Sequence, residues 1–218
     1  MEEKVLNNIE QLITRYPQLK GCRKDIEQAF EILKSLYDNR GKLLVCGNGG
    51  SASDSEHIVG ELMKEFKLKR KIFQEQALAL RAVDESLGEV LAENLQGALP
   101  AITLTAHSSL TTAFMNDSMP ALVFAQQVNG YGTAKDALFA ISTSGNSQNV
   151  LYAAVTARAK GLKVIGLTGA KENKLKCFSD VCIQVPEVET YKIQELHLPV
   201  YHCLCMMLEE TFFGYHNV

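Results

Sequence analysis

Residues 43–62 read Leu43-Leu44-Val45-Cys46-Gly47-Asn48-Gly49-Gly50-Ser51-Ala52-Ser53-Asp54-Ser55-Glu56-His57-Ile58-Val59-Gly60-Glu61-Leu62. The opening run is apolar without alternation, the mark of a strand buried on both faces of a parallel sheet. Glycines and serines then interrupt it, and a helical pattern over 51–65 follows. Working outward, further buried strands are expected at 101–105 (AITLT), 137–142 (ALFAIS), 163–168 (KVIGLT) and 181–185 (VCIQV). Helical patterns lie between them at 121–128 and 147–160, and a long one closes the chain at 191–213. Two amphipathic helices precede the first strand, at 2–16 (Val5, Ile9, Leu12 and Ile13 on one face, ended by Pro17) and at 22–38 (Ile26, Ala29, Phe30, Leu33). Strands alternating with helices imply right-handed crossovers. The expected fold is a single three-layer α/β domain over 1–218, a doubly wound parallel sheet with an N-terminal helical pair and a long C-terminal helix. Segment 74–99 resists assignment between helix and ordered loop, with Gly88 and Gly97 as punctuation.

The 218 residues carry a net charge of −3, and 46% of them are hydrophobic. That is a globular composition with no global field for nucleic acid or anionic membranes. The six cysteines form no CxxC pair and read as buried, reduced thiols. The N-terminus MEEKVLNNIEQ lacks the apolar stretch of a signal peptide, and no apolar run reaches the length of a membrane span. A cytoplasmic location is expected. The basic run at 64–71 (KEFKLKRK) reads as a solvated face, with Arg70 near a phosphate. Nucleic acid is not an expected partner, because aromatic interleaving stops at Phe66 and Phe73.

Two strand ends are rich in glycine and hydroxyl residues: 47–53 (GNGGSAS) and 142–147 (Ser142-Thr143-Ser144-Gly145-Asn146-Ser147). Each lies between a strand and a helix, where unpaired N–H groups and the helix dipole favour an anion. Small residues of this kind also serve as ordinary helix caps, but two such loops with hydroxyls beyond capping needs favour a phosphate. Gly47-x-Gly49-x-x-Ala52 fits a loose dinucleotide fingerprint, yet the acidic residue expected about twenty positions on is replaced by Lys67-Leu68-Lys69-Arg70-Lys71. No GxxxxGK[ST] occurs, so no nucleotide cofactor is expected. A phosphorylated small molecule fits better.

His57 and Glu61 share a helix face. Such a pair can chelate a metal, act as acid and base, or form a modest surface interaction. The last helix adds Gln194, Glu195, His197 and His202. Periodicity alone does not choose among these four, and a satisfied core histidine is an equal reading of His197.

GNGGSASDSEH, ISTSGNSQNV and IQELH…H together resemble the SIS (sugar isomerase) domain family and, within it, phosphoheptose isomerases, over about residues 1–66 and 100–214. The resemblance implies that Ser142, Thr143, Ser144 and Ser147 hold a sugar phosphate. It also implies that Asn48, Gly49, Gly50, Ser51, Asn116 and Asp117 line the sugar, with Glu61 and Gln194 beside it. Several relatives carry zinc, which maps here onto His57, Glu61, Gln194 and His202. The reaction implied is interconversion of sedoheptulose 7-phosphate and glycero-manno-heptose 7-phosphate, through a cis-enediol, with Glu61 as base and His202 as acid, or through the zinc. A non-catalytic branch of the family binds phosphosugars or a replication initiator protein. Its typical sequences lack the glutamate and the last histidine, both present here. The chain departs from the family pattern at Tyr191 and Glu65, and 74–99 is longer than the corresponding link in relatives. The apolar faces of the first two helices, with Leu204, Met206, Met207 and Leu208, suggest an interface. Relatives of this kind form homotetramers.

Overall fold

The computed structural model describes residues 3–214; Glu2 of the first anticipated helix and both extremities of the expected domain lie outside them. Helices α1 (Glu3–Arg15) and α2 (Arg23–Asp38), joined by a 3₁₀ turn that starts at Pro17, lead into β1 (Leu43–Cys46) and α3 (Gly50–Met63). Then come α4 (Gln74–Val83), α5 (Glu85–Asn94), β2 (Ala101–Thr103), α6 (Ser108–Asp117) and α7 (Val123–Tyr131). The chain continues through β3 (Ala137–Ile141), α8 (Gln148–Ala159), β4 (Lys163–Thr168), α9 (Leu175–Phe178), β5 (Val181–Gln184) and α10 (Thr190–Phe213).

The five strands form one parallel sheet in the order β2-β1-β3-β4-β5, with Leu43 level with both Ala101 and Ala137. Alternate side chains feed two cores. Leu43, Val45 and Phe139 meet α1, α2, α3 and α10, while Leu44, Cys46 and Leu138 meet α7 and α8. Both faces are therefore covered, which explains why the strands read as apolar runs. The strand order reverses between β1 and β3. In open α/β sheets the crevice beyond the strand ends at that point is where ligands bind.

The helical pair does not keep a bare apolar face, because Val5, Ile9, Ile26, Phe30 and Leu33 are all buried in the chain's own core. Leu204, Met207 and Leu208 are buried there too, so the sequence-based argument for an interface on these faces loses its footing. Segment 74–99, left between helix and ordered loop by the sequence, is mostly helical: α4 and α5 pack against each other as a hairpin. Gly88 allows the close crossing, since a Cβ there would stand 2.3 Å from the Leu80 carbonyl oxygen. Asp84 caps α5 by accepting from the Leu87 N–H at 2.7 Å. No side chain of α4 is buried, and Val83 and Leu87 are 89% and 65% exposed. The Ser/Thr-rich α6 was not anticipated.

Arg70 is neither solvated nor at a phosphate: it is 2% exposed. Its Nε donates to Glu209 Oε1 at 2.7 Å, and its Nη1 and Nη2 donate to the carbonyls of Leu62 and Glu61 at 2.8 and 2.9 Å. Glu209 in turn accepts from the N–H groups of Phe66 and Lys67, each at 2.8 Å. A buried arginine thus satisfies the last carbonyls of α3 and locks that helix end onto α10. Lys64, Lys67, Lys69 and Lys71 are exposed, as a solvated face requires. The described cysteines are all free; four are buried, but Cys177 is exposed and Cys182 partly so. Among the described residues no helix is long and apolar enough to cross a membrane.

Candidate active site

The loops after β1 and β3 form a cavity at the strand-order reversal, lined by Asn48, Gly49, Gly50, Ser51, Ser142, Thr143, Ser147, Thr190 and Gln194. Three helix N-termini open on it, since α3 begins at Gly50, α8 at Gln148 and α10 at Thr190. Their combined dipoles and N–H groups suit an anion. Gly49 turns the chain at a φ of +56°, which favours glycine, and a Cβ on Gly50 would collide with the Gln194 amide at 2.3 Å. The hydroxyls are held in place by one another. Ser142 Oγ lies 3.1 Å from Ser147 Oγ and 3.5 Å from Ser144 Oγ, and it accepts from the Gly145 N–H at 3.1 Å. Asn48 and Asn149 exchange two side-chain hydrogen bonds of 2.9 and 2.8 Å, tying the two loops together.

Helices α3 and α10 leave this cavity side by side and in the same direction. Gly50 is against Gln194, Asp54 against Tyr201, and His57 against both Tyr201 and His202. His57 lies two turns, about 10 Å, along α3 from Gly50, and His202 about 12 Å along α10 from Gln194. At that far end, His57 Nε2 is 3.1 Å from Glu61 Oε1 and 3.4 Å from His202 Nε2. The Lys64 ammonium reaches the other Glu61 oxygen at 3.3 Å. Phe66 packs against the His202 ring, 5.3 Å between centroids. Burial and the neighbouring His57 hold the His202 imidazole below its ordinary pKa. Behind His57, the Tyr201 hydroxyl lies 3.1 Å from Nδ1 and 3.2 Å from Asp54 Oδ1. Burial pushes Asp54 up, opposed by Tyr201 and His57.

Two imidazole nitrogens 3.4 Å apart attract only if one directs a proton at the other or a cation lies between them. The separations of 3.1 and 3.4 Å are those of neighbouring donors about a tetrahedral zinc with bonds of about 2.0–2.1 Å. Two imidazoles and a carboxylate also suit zinc in kind. Among the described residues no three His, Cys, Asp or Glu side chains form a ready metal-binding group. Gln194, the fourth ligand the resemblance implies, lines the cavity end of the seam about 12 Å along α10 from His202, so of those four residues the structure brings His57, Glu61 and His202 together.

The structure thus gathers the residues anticipated from the sequence into two groups on one pair of helices. Asn116 and Asp117 are the exception. They end α6, are exposed, and bond to each other at 2.8 Å outside the cavity. Glu195 is exposed. His197 is 0% exposed and lies outside both groups, a core histidine. Sequence reasoning missed Asn149, Thr190, Asp54 and Tyr201. Asn149 could have been suspected from its place just after the second loop.

Comparison with known proteins agrees with this geometry. The SIS domain model matches residues 6–98 and 91–169. The phosphoheptose isomerase of Helicobacter pylori (strain P12) is 37% identical over 194 residues, 89% of this chain and 88% of that protein. That of Akkermansia muciniphila is 33% identical over 98% of this chain and 100% of that protein. The solved phosphoheptose isomerase of Francisella tularensis superposes with a TM-score of 0.74 at 30% identity, covering 95% of this chain and 97% of that one. The corresponding enzyme of Neisseria gonorrhoeae gives 0.69 at 32% identity, covering 94% and 97%. With its switch-point cavity and its relatives in agreement, this chain belongs to the SIS domain family, among the phosphoheptose isomerases and their relatives.

Proposed function

We propose that the chain isomerises sedoheptulose 7-phosphate to glycero-manno-heptose 7-phosphate. Its place in the family makes it a phosphosugar isomerase. The observation that carries the finer reading is the separation of the two groups along the α3–α10 seam. An extended seven-carbon chain with a terminal phosphate spans on the order of 10 Å at bonds of about 1.5 Å, which matches the distance from the cavity to His57.

In this reading Ser142, Thr143, Ser144 and Ser147, with the three helix N-termini, hold the phosphate. Asn48, Gly49, Gly50, Ser51 and Gln194 follow the sugar chain. Glu61 takes the proton from C1 of the ketose while His202 donates a proton to the C2 oxygen, giving the cis-enediol. His202 then removes the O1 proton and Glu61 returns its proton to C2, so both residues end as they began. Both transfers require hydrogen-bond reach of the reacting atoms. Phosphate binding remote from the reacting carbons supplies orientation. His57, Glu61 and His202 would hold a zinc, which when bound supplies Lewis-acid polarisation of the carbonyl, while Gln194 stays with the sugar chain. Assembly as a homotetramer belongs to the same reading and is checked by light scattering.

The test is isomerisation of sedoheptulose 7-phosphate by the protein as purified, after chelation, and after zinc is restored. Turnover lost on chelation and regained with zinc supports the full reading. Turnover indifferent to chelator removes the zinc from it, and no turnover under any condition overturns the substrate.

A further inference from the structure

His57 is the hub of the acid–base group, and behind it lies a hydrogen-bonded pair that the proposed reaction does not use. Tyr201 is 1% exposed, and its ring packs edge-on against both histidines, with centroids 5.6 Å from His57 and 5.0 Å from His202. Its hydroxyl touches His57 Nδ1 at 3.1 Å and Asp54 Oδ1 at 3.2 Å. A phenol has one proton to donate, and an ionised carboxylate can only accept. Asp54 Oδ2 is buried without a partner, and among the described residues Tyr201 is the one hydrogen-bond donor given to this carboxylate. Turning the phenol proton toward His57 would leave Asp54 with no donor at all, the costlier arrangement. The phenol proton therefore goes to Asp54, and the phenol oxygen must accept from His57.

We propose that Tyr201 and Asp54 are positioning residues that fix His57 as the Nδ1–H tautomer, so that its Nε2 lone pair faces Glu61 and His202. A bare Nε2 cannot donate to the Glu61 oxygen 3.1 Å away. The gap between them then calls for a shared proton or a cation, and the relay keeps the site primed for a divalent metal. A carboxylate acting on a metal-ligating imidazole through a hydrogen bond to its far nitrogen is a general way to fix ring orientation and raise basicity. Here the carboxylate acts through an inserted phenol. The inference rests on the placement of His57 in the site and not on the reaction assigned to it.

The test is nitrogen-15 NMR of imidazole-labelled, metal-free protein at pH 7.5, together with zinc titration by calorimetry, neither of which requires turnover. The wild type is expected to show His57 protonated at Nδ1. Tyr201→Phe keeps the ring and removes the hydroxyl; it is expected to move the proton to Nε2 and to weaken zinc binding about ten- to a hundredfold. Asp54→Asn keeps an acceptor for the phenol without its charge, and is expected to weaken zinc binding by less. A wild-type His57 protonated at Nε2 would overturn the proposal. So would a folded Tyr201→Phe protein with unchanged tautomer and zinc affinity. If no phosphosugar is turned over but these shifts appear, the substrate assignment fails and this inference stands.

Discussion

The two ends of the α3–α10 seam are built in opposite ways. At the cavity end the groups are backbone N–H donors, glycines and small hydroxyls, fixed by local turns and by bonds within and between two loops. At the far end they are long side chains whose positions depend on packing across two helices nearly 150 residues apart in sequence. A cradle of the first kind recognises a charge and tolerates small losses. In the proposed reaction a cluster of the second kind carries the proton transfers, and it is expected to fail when a single member changes. The difference predicts which substitutions act on turnover and which on binding.

The largest effect belongs to the reacting end. Glu61→Gln is expected to lower kcat by about 10²–10⁴-fold with little change in KM, and His202→Ala similarly, while circular dichroism remains native. Equal falls in kcat/KM and kcat are the signature to look for in stopped-flow assays. Near-native kcat in either variant would dissolve the distinction between the ends.

Next in size is the tie that supports the reacting end. Arg70→Met leaves the buried Glu209 carboxylate without its arginine. A loss of about 3–5 kcal/mol is expected for breaking a buried pair by removing one partner, read as the urea midpoint. Arg70→Met paired with Glu209→Gln should cost less than the single change.

His197 offers a test of stability against pH. Burial pushes its pKa down from 6.5 to about 4, against a weaker pull from the Thr168 backbone. The folded chain keeps this imidazole neutral, while the unfolded chain takes up a proton as the pH falls below its ordinary value. Its contribution is therefore fully present above pH 6.5 and is lost as the pH falls toward 4, by an amount on the order of a few kcal/mol. Chemical denaturation of wild type and His197→Phe across that range checks the sign. Parallel pH profiles for the two proteins would contradict it.

The smallest effect belongs to the cavity end. Ser144→Ala is expected to raise KM or Kd for the phosphosugar about tenfold, within the range of a lost hydrogen bond to a charged group of about 1.5–3 kcal/mol, and to leave kcat nearly unchanged. A fall in kcat with constant KM would place this serine at the reacting end.

The same contrast governs what the sequence could say. All five strands were legible because each is a short apolar run closed by a turn residue, and both cavity loops because glycine and serine act locally. Arg70 was misread since its partner Glu209 lies 139 positions away and no spacing reveals it. Tyr201 was hidden within an apolar stretch, where its hydroxyl looks incidental. Segment 74–99 was obscured by Gly88, which reads as a breaker but marks the contact of two helices. The apolar faces of α1 and α2 pointed outward in the sequence reading because periodicity shows that a face exists, not what covers it.

The central claim is that one substrate spans both ends, and chain length tests it most directly. Isomerisation rates should be measured on ketose phosphates of three to seven carbons, each with the phosphate on the terminal carbon, beside the unphosphorylated seven-carbon ketose. The account predicts the highest kcat/KM for the seven-carbon phosphate, a steep fall as the chain shortens, and a large loss when the phosphate is absent. A triose phosphate turned over as well as the heptose phosphate, or a free heptose turned over equally, would contradict it.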